Sequence, residues 1–123
     1  LPQHDGLVEP WEGRVWCNPP YGPQVGEWAQ RMCQHADGIM LIFARLETST
    51  WQKHIFPFAD AVLFLHGRVH FYQPSGQRGG SGTAPSALVA FGQSNVEALK
   101  NAGLAGAFYG KAEMLPGIRA SEL

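Results

Sequence analysis

The sequence predicts an α/β domain built on a largely parallel sheet. Short apolar runs typical of buried strands alternate along the chain with segments in which apolar residues recur at helical spacing. The run at residues 38–44 is continuously apolar, as expected for a strand covered on both faces. At 123 residues the chain is long enough for one domain with a single core. We therefore expect one α/β domain over residues 1–123.

The first part of the chain predicts a strand, a helix and a second strand. Residues 1–12 are loop-like, and residues 14–17 form a short apolar run that predicts a buried strand. Apolar residues at helical spacing predict a helix over residues 25–37, with Gly38 as its C-terminal stop. The apolar run at residues 38–44 follows directly and predicts the second strand.

A second helix is predicted by the spacing of Ser49 and Gln52, which matches a capping box. We expect one face of this helix to be buried, formed by Trp51, Ile55 and Phe58. Residues 61–65 then predict a third strand, and residues 69–72 a hairpin or bend that continues the same ladder.

The last part of the chain begins with a Gly- and Ser-rich segment at residues 74–85, which predicts a mobile surface loop. Residues 87–91 predict another strand. Ser94 and Glu97 have the spacing of a second capping box, which predicts a short helix ending near residue 103. Beyond that point the weak pattern supports no prediction.

Composition narrows the possible partners. The net charge of −1 gives no basic footprint for nucleic acid, although a local basic rim is compatible with a neutral total. No apolar run approaches the roughly 20 residues of a membrane span, so no membrane partner is expected. Cys17 and Cys33 lie in apolar stretches and are interpreted as buried free thiols of a cytoplasmic protein. No metal is expected, because His66 and His70 fall in strand-like sequence where four residues span roughly 13 Å.

The strongest chemical signal is the tetrapeptide Asn18-Pro19-Pro20-Tyr21, set directly behind the first predicted strand. The Asn amide oxygen and a nearby backbone carbonyl accept the two N–H bonds of a planar amine, and an aromatic ring stacks on the heterocycle. The prolines stiffen this loop before a substrate arrives. The same four residues are also an ordinary turn signal, so both readings stay open at this point.

A second loop follows the strand predicted at residues 38–44 and begins with Arg45. Ligands of open α/β sheets bind where strands end and loops begin. If the two strands pair, the Asn18 loop and the Arg45 loop lie side by side, which places a site at that edge.

Several segments together carry a resemblance that covers roughly residues 4–92. They are Asp5-Gly6-Leu7, Trp11, Gly13-Arg14-Val15-Trp16-Cys17-Asn18-Pro19-Pro20-Tyr21-Gly22, Trp28, Ala44-Arg45 with Thr48 and Trp51, Gly67-Arg68-Val69-His70-Phe71, and Ala84-Pro85-Ser86-Ala87-Leu88-Val89. In this order and spacing they resemble the phage-type DNA N6-adenine methyltransferases.

The resemblance implies a Rossmann-like sheet and methylation of adenine N6 in double-stranded DNA of a bacterial host cell, with S-adenosylmethionine as donor and the target base flipped out of the helix. It implies that Asn18 and the Pro19 carbonyl hold the amine, that Pro20 stiffens the loop, and that Tyr21 stacks on the base. The transfer would be a direct displacement without a covalent enzyme intermediate.

The same resemblance suggests residues for the donor and the DNA. Asp5 matches an acidic position that contacts the adenine of the donor, and Arg45 either shapes the donor pocket or neutralises a phosphate. A solvated loop position is the alternative for both. For the DNA backbone the candidates are Lys53, Arg68 and Arg78, although scattered cations are commonly just solvated.

One departure from the family concerns the donor. Residues 1–12 supply no strand and acidic loop for its methionine part, so we expect a sheet that is incomplete at its N-terminal half. That segment would come from the same protein or from a partner chain. Two alternatives stay open: a methyltransferase-fold fragment, inactive alone, that serves as a binding module or partner subunit, and a methyltransferase for another planar amine.

Overall fold

The computed structural model describes residue 7 and residues 10–20, 22–67, 70–72, 78–81 and 85–111, with the backbone alone for 70–72 and 78–81. Five of its strands form one sheet: β1 (Val15–Cys17), β2 (Gly38–Phe43), β3 (Ala61–Leu65), β6 (Ser86–Phe91) and β7 (Gly106–Gly110). The remaining two, β4 (His70–Tyr72) and β5 (Arg78–Ser81), form a separate two-stranded sheet. The order in the main sheet is β1-β2-β6-β3-β7.

The predicted α/β class is confirmed, but the sheet is mixed rather than largely parallel. β1 pairs with β2 in parallel, whereas β6 is antiparallel to both β2 and β3, and β7 is antiparallel to β3. The chain reverses direction once, between β3 and β6, so β6 and β7 run opposite to β1, β2 and β3. β1, β2 and β3 nevertheless run in one direction, so their carboxyl ends share one edge of the sheet.

Helix α1 (Val25–His35) ends two residues earlier than predicted, and its C-terminal stop is not Gly38. Ala36 takes the left-handed conformation with φ 61°, and its N–H donates to the carbonyl of Met32. Gly38 instead opens β2, where a Cβ would stand 2.2 Å from the carbonyl oxygen of Val15. Glycine is required there because β1 and β2 approach closely.

The second helix begins as a π-helix at Thr50–Ile55 and continues as α2 (Phe56–Phe58). The predicted capping box is wrong: Ser49 makes no side-chain cap, and Gln52 Nε2 donates to the carbonyl of Leu46 at 2.7 Å. Of the face predicted to be buried, Trp51 and Ile55 are in the core, but Phe58 is 54% exposed. The shift to π geometry changes which side chains share a face, so an α-helical spacing misplaces Phe58.

The segment after β3 also differs from the prediction. β4 pairs with β5 and not with β3, so it does not continue the ladder of the main sheet. Residues 78–81 of the predicted loop form β5. Residues 74–77 and 82–84 of that loop lie outside the described part of the chain.

The predicted short helix is present as α3 (Gln93–Lys100), but it begins before Ser94, ends before residue 103 and lacks the predicted capping box. Its N-cap residue is Gly92, and Ser94 Oγ instead accepts a hydrogen bond from Arg14 Nη2 at 3.1 Å. β7 was not predicted, because Gly106–Gly110 has no alternation or apolar run that marks a strand.

The sheet has a core on each face. Helix α1 and the π-helix cover one face, in a cluster that includes Met32, Met40, Trp51, Ile55, Val62 and Val89. Helix α3 covers part of the other face, in a smaller cluster that includes Leu41, Leu63, Leu88 and Leu99. The Trp51 ring stacks on Phe64 with centroids 5.9 Å apart, which ties the π-helix to β3.

Candidate functional site

The candidate site lies at the edge where the parallel strands end. β1 ends at Cys17 and is followed by Asn18, and β2 ends at Phe43 and is followed by Arg45 two residues on. The parallel register of β1 and β2 brings both ends to the same edge. The prediction that these two loops are neighbours is confirmed.

A cavity of about 340 Å³ lies between these loops. One wall of the cavity is formed by the loop after β1 and the start of α1. The other wall is formed by the end of β2, the loop that follows it and the π-helix. The lining residues are Gly22, Val25, Ile42, Phe43, Arg45, Thr48, Thr50 and Trp51. A volume of this size is within the range of pockets that hold small ligands.

The loop after β2 is fixed by its own hydrogen bonds. Thr48 donates to the carbonyl of Arg45 twice, from its hydroxyl at 2.7 Å and from its backbone N–H at 3.1 Å. Trp51 Nε1 donates to the carbonyl of Phe43 at 2.8 Å, which holds the π-helix against the end of β2. The Arg45 guanidinium carbon is 5.9 Å from the centroid of the Phe43 ring. This side of the cavity is therefore preorganised.

The opposite wall approaches the π-helix closely at Gly26. A Cβ at that position would stand 3.3 Å from Thr50 Oγ1, so the missing side chain lets α1 and the π-helix come together. π-helical turns are rare and occur often at functional sites. Here the π-helix places two successive residues, Thr50 and Trp51, on the cavity.

The tetrapeptide predicted to be catalytic lies at the same edge. Asn18 and Pro20 are exposed and Pro19 is buried, so packing holds the loop between two accessible residues. Asn18 is not among the cavity-lining residues, whereas Gly22 of the same loop is. Tyr21 lies outside the described residues.

The other predicted site residues are only partly described. Arg45 lines the cavity and is exposed, and Lys53 is exposed on the π-helix. Asp5 and Arg68 lie outside the described residues, and for Arg78 the backbone of β5 is described but not the side chain. The structure therefore brings Arg45 to the Asn18 edge and leaves the remaining donor and DNA residues as predictions.

Trp11 packs along α1. Its ring centroid is 6.3 Å from that of Trp28 and 5.7 Å from that of His35, and the guanidinium carbon of Arg31 is 5.2 Å from it. The loop before β1 is further tied to α1 by Arg31 Nη1, which donates to the carbonyl of Leu7 at 3.1 Å. These contacts give the Trp11 indole a structural role on α1.

The two cysteines are free, as predicted. Burial raises the pKa of Cys17 and that of Cys33 from 9.0 to about 11. Cys33 Sγ donates to the carbonyl of His54 at 2.9 Å, which links α1 to the π-helix. Both thiols are neutral at pH 7 and serve packing rather than nucleophilic chemistry.

Several cavity residues were not singled out as site residues from the sequence. Val25 and Thr50 carried no signal of a site, because an apolar residue at a helix start and a threonine in the first turn of a predicted helix are both ordinary. Thr48 was noted only for the family resemblance, and Trp51 for that resemblance and for a predicted buried helix face. The fold places both on the cavity. These residues line the cavity because of how the loop after β2 and the π-helix fold, which no sequence pattern indicates.

In comparisons with known proteins, no family model, curated protein or solved structure matches the chain. Among the described residues, no helix is both long and apolar enough to cross a membrane. The described part of the chain also contains no group of three or more His, Cys, Asp or Glu side chains placed to hold a metal ion.

Proposed function

We propose that the chain is all or part of an S-adenosylmethionine-dependent DNA methyltransferase that modifies adenine N6. The observation that supports this most directly is the placement of Asn18-Pro19-Pro20. These residues follow a parallel strand at the carboxyl edge of the sheet and share a loop with Gly22, which lines the cavity. That edge is where open α/β sheets bind their ligands.

The strand order supports the Rossmann-like part of the proposal. β1, β2 and β3 run in one direction and follow one another in chain order from the β1 side, with β6 inserted between β2 and β3. One half of a doubly wound sheet has its parallel strands in such an outward succession. In such a sheet a second half lies beyond β1, and the crevice between the halves holds the cofactor.

The proposed chemistry uses the loop as a rigid acceptor of two N–H bonds. The Asn18 amide oxygen and the Pro19 carbonyl oxygen accept the two protons of the exocyclic amine, which directs the nitrogen lone pair out of the ring plane. The donor supplies an electrophilic methyl group. Holding the amine in line with that methyl, at about 3–3.5 Å, is the main catalytic effect that such a site can give. The two acceptors also stabilise the positive charge that develops on the amine.

The described residues fit the donor only in part. Arg45 can pair with the carboxylate of its methionine part, but its sulfonium and its ammonium group are cationic and find no carboxylate among the described residues that line the cavity. We therefore do not assign the donor to this cavity. Asn18 and Asp5 remain the proposed donor contacts in this chain, and the methionine end requires groups beyond the described residues.

The proposed acceptor is a base flipped out of double-stranded DNA, since adenine N6 in a duplex is paired and stacked. Arg45 is exposed at the cavity and Lys53 is exposed on the π-helix, and both are proposed to contact phosphates of the DNA backbone. Arg68 and Arg78 are proposed for the same role. The chain as a whole is near neutral, so the proposal requires cations gathered locally on the DNA side.

Transfer of tritiated methyl from S-adenosylmethionine to unmethylated DNA tests the proposal. Asn18→Ala is expected to lower the rate on the order of 100-fold or more, because it removes one acceptor that acts on the developing charge. Asn101→Ala is the matched control, since Asn101 is exposed at the end of α3 and away from the site. Equal rates for Asn18→Ala and the unmodified chain would contradict the proposed role of the loop.

A second candidate function is that of a partner subunit or binding module, and the free side of β1 favours it. Within the described residues β1 pairs only with β2, and Trp16 is 60% exposed on the face opposite α1. Such an edge accepts a further strand from another chain. If the chain transfers no methyl alone but does so when mixed with a donor-binding partner, this second function is correct. Transfer to glutamine side chains instead of DNA would favour the third candidate, a methyltransferase for another planar amine.

A further inference from the structure

We infer that the cavity between the β1 and β2 loops receives the acceptor adenine rather than the donor, and that Thr50 binds an edge of its ring. This inference rests on the proposed function and deepens it. It moves Arg45 from the donor side, where the sequence placed it as one alternative, to the acceptor side.

The position of the cavity separates it from the donor. The cavity is lined by the loop after β1 and by the end of β2 with the loop behind it, so it lies on the β2 side of the Asn18 loop, beyond the residues of β2 that pair with β1. A cofactor of a doubly wound sheet binds at the point where strand order reverses, which in the proposed fold is the side of β1 that faces away from β2. Asn18 follows β1 itself and so stands between the two positions. An amine held there faces the donor while its ring extends into the cavity.

The walls suit a flat, mostly apolar ring. Val25, Ile42 and the Trp51 indole supply apolar surface from α1, β2 and the π-helix. The indole cannot turn away, because Trp51 Nε1 is bonded to the carbonyl of Phe43 and the ring is stacked on Phe64. Base-binding sites combine such surfaces with a few fixed polar groups.

The charged groups at the cavity fit the acceptor better than the donor. Arg45 is the single formally charged residue among those that line it. Its guanidinium attracts the phosphates that flank a flipped base. It would also attract the carboxylate of the donor, but the sulfonium and the ammonium group of the donor have no anionic partner among the lining residues.

Thr50 carries the hydroxyl available to the ring. The Thr48 hydroxyl already donates to the carbonyl of Arg45, whereas the Thr50 hydroxyl has no hydrogen-bond partner in the described part of the chain. Gly26 lets it sit against α1, at the cavity wall. A hydroxyl in this position donates to a ring nitrogen of adenine, N1 or N7, once Asn18 holds the amine.

Methyl NMR of the labelled chain tests the assignment with adenosine as the probe. Saturable shifts are expected at Val25, Ile42 and Thr50. Thr50→Val keeps the shape and removes the hydroxyl, so we expect about fivefold weaker adenosine binding, the effect of one neutral hydrogen bond. Thr50→Ser should retain binding. Ser49→Ala is the matched control, because Ser49 is exposed, makes no cap and lies outside the cavity lining.

Two adenosine analogues show which ring nitrogen, N1 or N7, accepts the hydrogen bond from the Thr50 hydroxyl. The effect of Thr50→Val should vanish with either 1-deazaadenosine or 7-deazaadenosine, whichever lacks the nitrogen that Thr50 contacts. Adenosine shifts that map away from the cavity, or a Thr50→Val chain with unchanged affinity for adenosine and both analogues, would overturn the inference. So would S-adenosylhomocysteine shifting the cavity methyls with adenosine unable to compete.

Methyl transfer is measured in parallel, so that the two failures can be told apart. Transfer with no adenosine at the cavity leaves the proposed function standing and removes this inference. Adenosine at the cavity with no transfer removes the enzymatic role of the chain alone and leaves the acceptor pocket in place.

Discussion

Pro19 is buried between two exposed residues, Asn18 and Pro20. The buried proline anchors the loop on the core and so fixes the position of the exposed Asn18 amide. Proline restricts φ, and a buried ring restricts the loop as a rigid body. The Asn18 amide is therefore exposed to solvent, while the adjacent backbone is fixed by the packing of Pro19 in the interior. Flexible loops lose this advantage, because ordering them on binding costs conformational entropy.

The sequence could predict that Asn18, Pro19 and Arg45 lie at one edge of the sheet, because their place after apolar strands is visible in the order of residues. It could not predict that Thr50 lies close to Gly26. Their closeness, 3.3 Å between Thr50 Oγ1 and a Cβ built on Gly26, joins residues far apart in sequence. Such contacts depend on how α1 meets the π-helix and have no local signature.

The buried thiols predict a fall in stability at alkaline pH. In the unfolded chain a thiol titrates near 9.0, and in the fold Cys17 and Cys33 titrate at about 11. Between these values the unfolded state has released more protons than the native state, so the free energy of unfolding falls as pH rises from 9 to 11. Below pH 9 this contribution is fully present. Urea midpoints from pH 8 to pH 11 should fall more steeply for the unmodified chain than for a Cys17→Ala, Cys33→Ala variant; parallel curves would contradict the assignment.

At the scale of elements, the junction of α1 and β2 has two positions with opposite requirements. Ala36 has φ 61°, where a Cβ is strained, and Gly38 has no room for one beside the Val15 carbonyl. Ala36→Gly should therefore stabilise the fold by about 1 kcal/mol. Gly38→Ala should destabilise it by about 3 kcal/mol, since β1 must move away from β2.

Chemical denaturation measures both effects, and each variant serves as the control for the other. If both substitutions shift the midpoint in the same direction, the conformation assigned to this junction is wrong. Because Gly38→Ala displaces β1, it should also weaken adenosine binding at the cavity, whereas Ala36→Gly should leave that binding unchanged.

Helices and strands were predicted where periodicity is strong, and the exceptions have physical causes. The α1 and β3 segments agree closely with their patterns. The π-helix was missed, because six residues are too few for the sequence pattern to distinguish π spacing from α spacing. Neither capping box formed, since Gln52 and Ser94 bond to other groups in the folded chain.

For the whole molecule, the open side of β1 is the feature that no local pattern predicts. Its three residues pair with β2 alone among the described residues, and Trp16 extends from the face that α1 does not cover. Free parallel edges pair with other chains unless charge or a covering element prevents it. The edge is also the side on which a doubly wound sheet would continue.

This edge predicts association that depends on concentration. Light scattering after size exclusion should give a mass that rises with loading, and Trp16→Lys should return the chain to a monomer without unfolding it. Leu104→Lys is the control, because Leu104 is 51% exposed but lies in the loop before β7, far along the sheet from β1. A monomer at all concentrations, or equal effects of the two substitutions, would contradict an adhesive β1 edge.

The central claim is that the Asn18 loop presents the amine of adenine for methylation. The most direct test is to incubate DNA with S-adenosylmethionine and the chain, digest the DNA to nucleosides and quantify N6-methyldeoxyadenosine by mass spectrometry. We expect this product alone, a loss on the order of 100-fold or more in Asn18→Ala, and a smaller loss in Asn18→Asp, whose carboxylate still accepts the amine protons. Product at another nucleoside, or undiminished N6-methyldeoxyadenosine from Asn18→Ala, would contradict it.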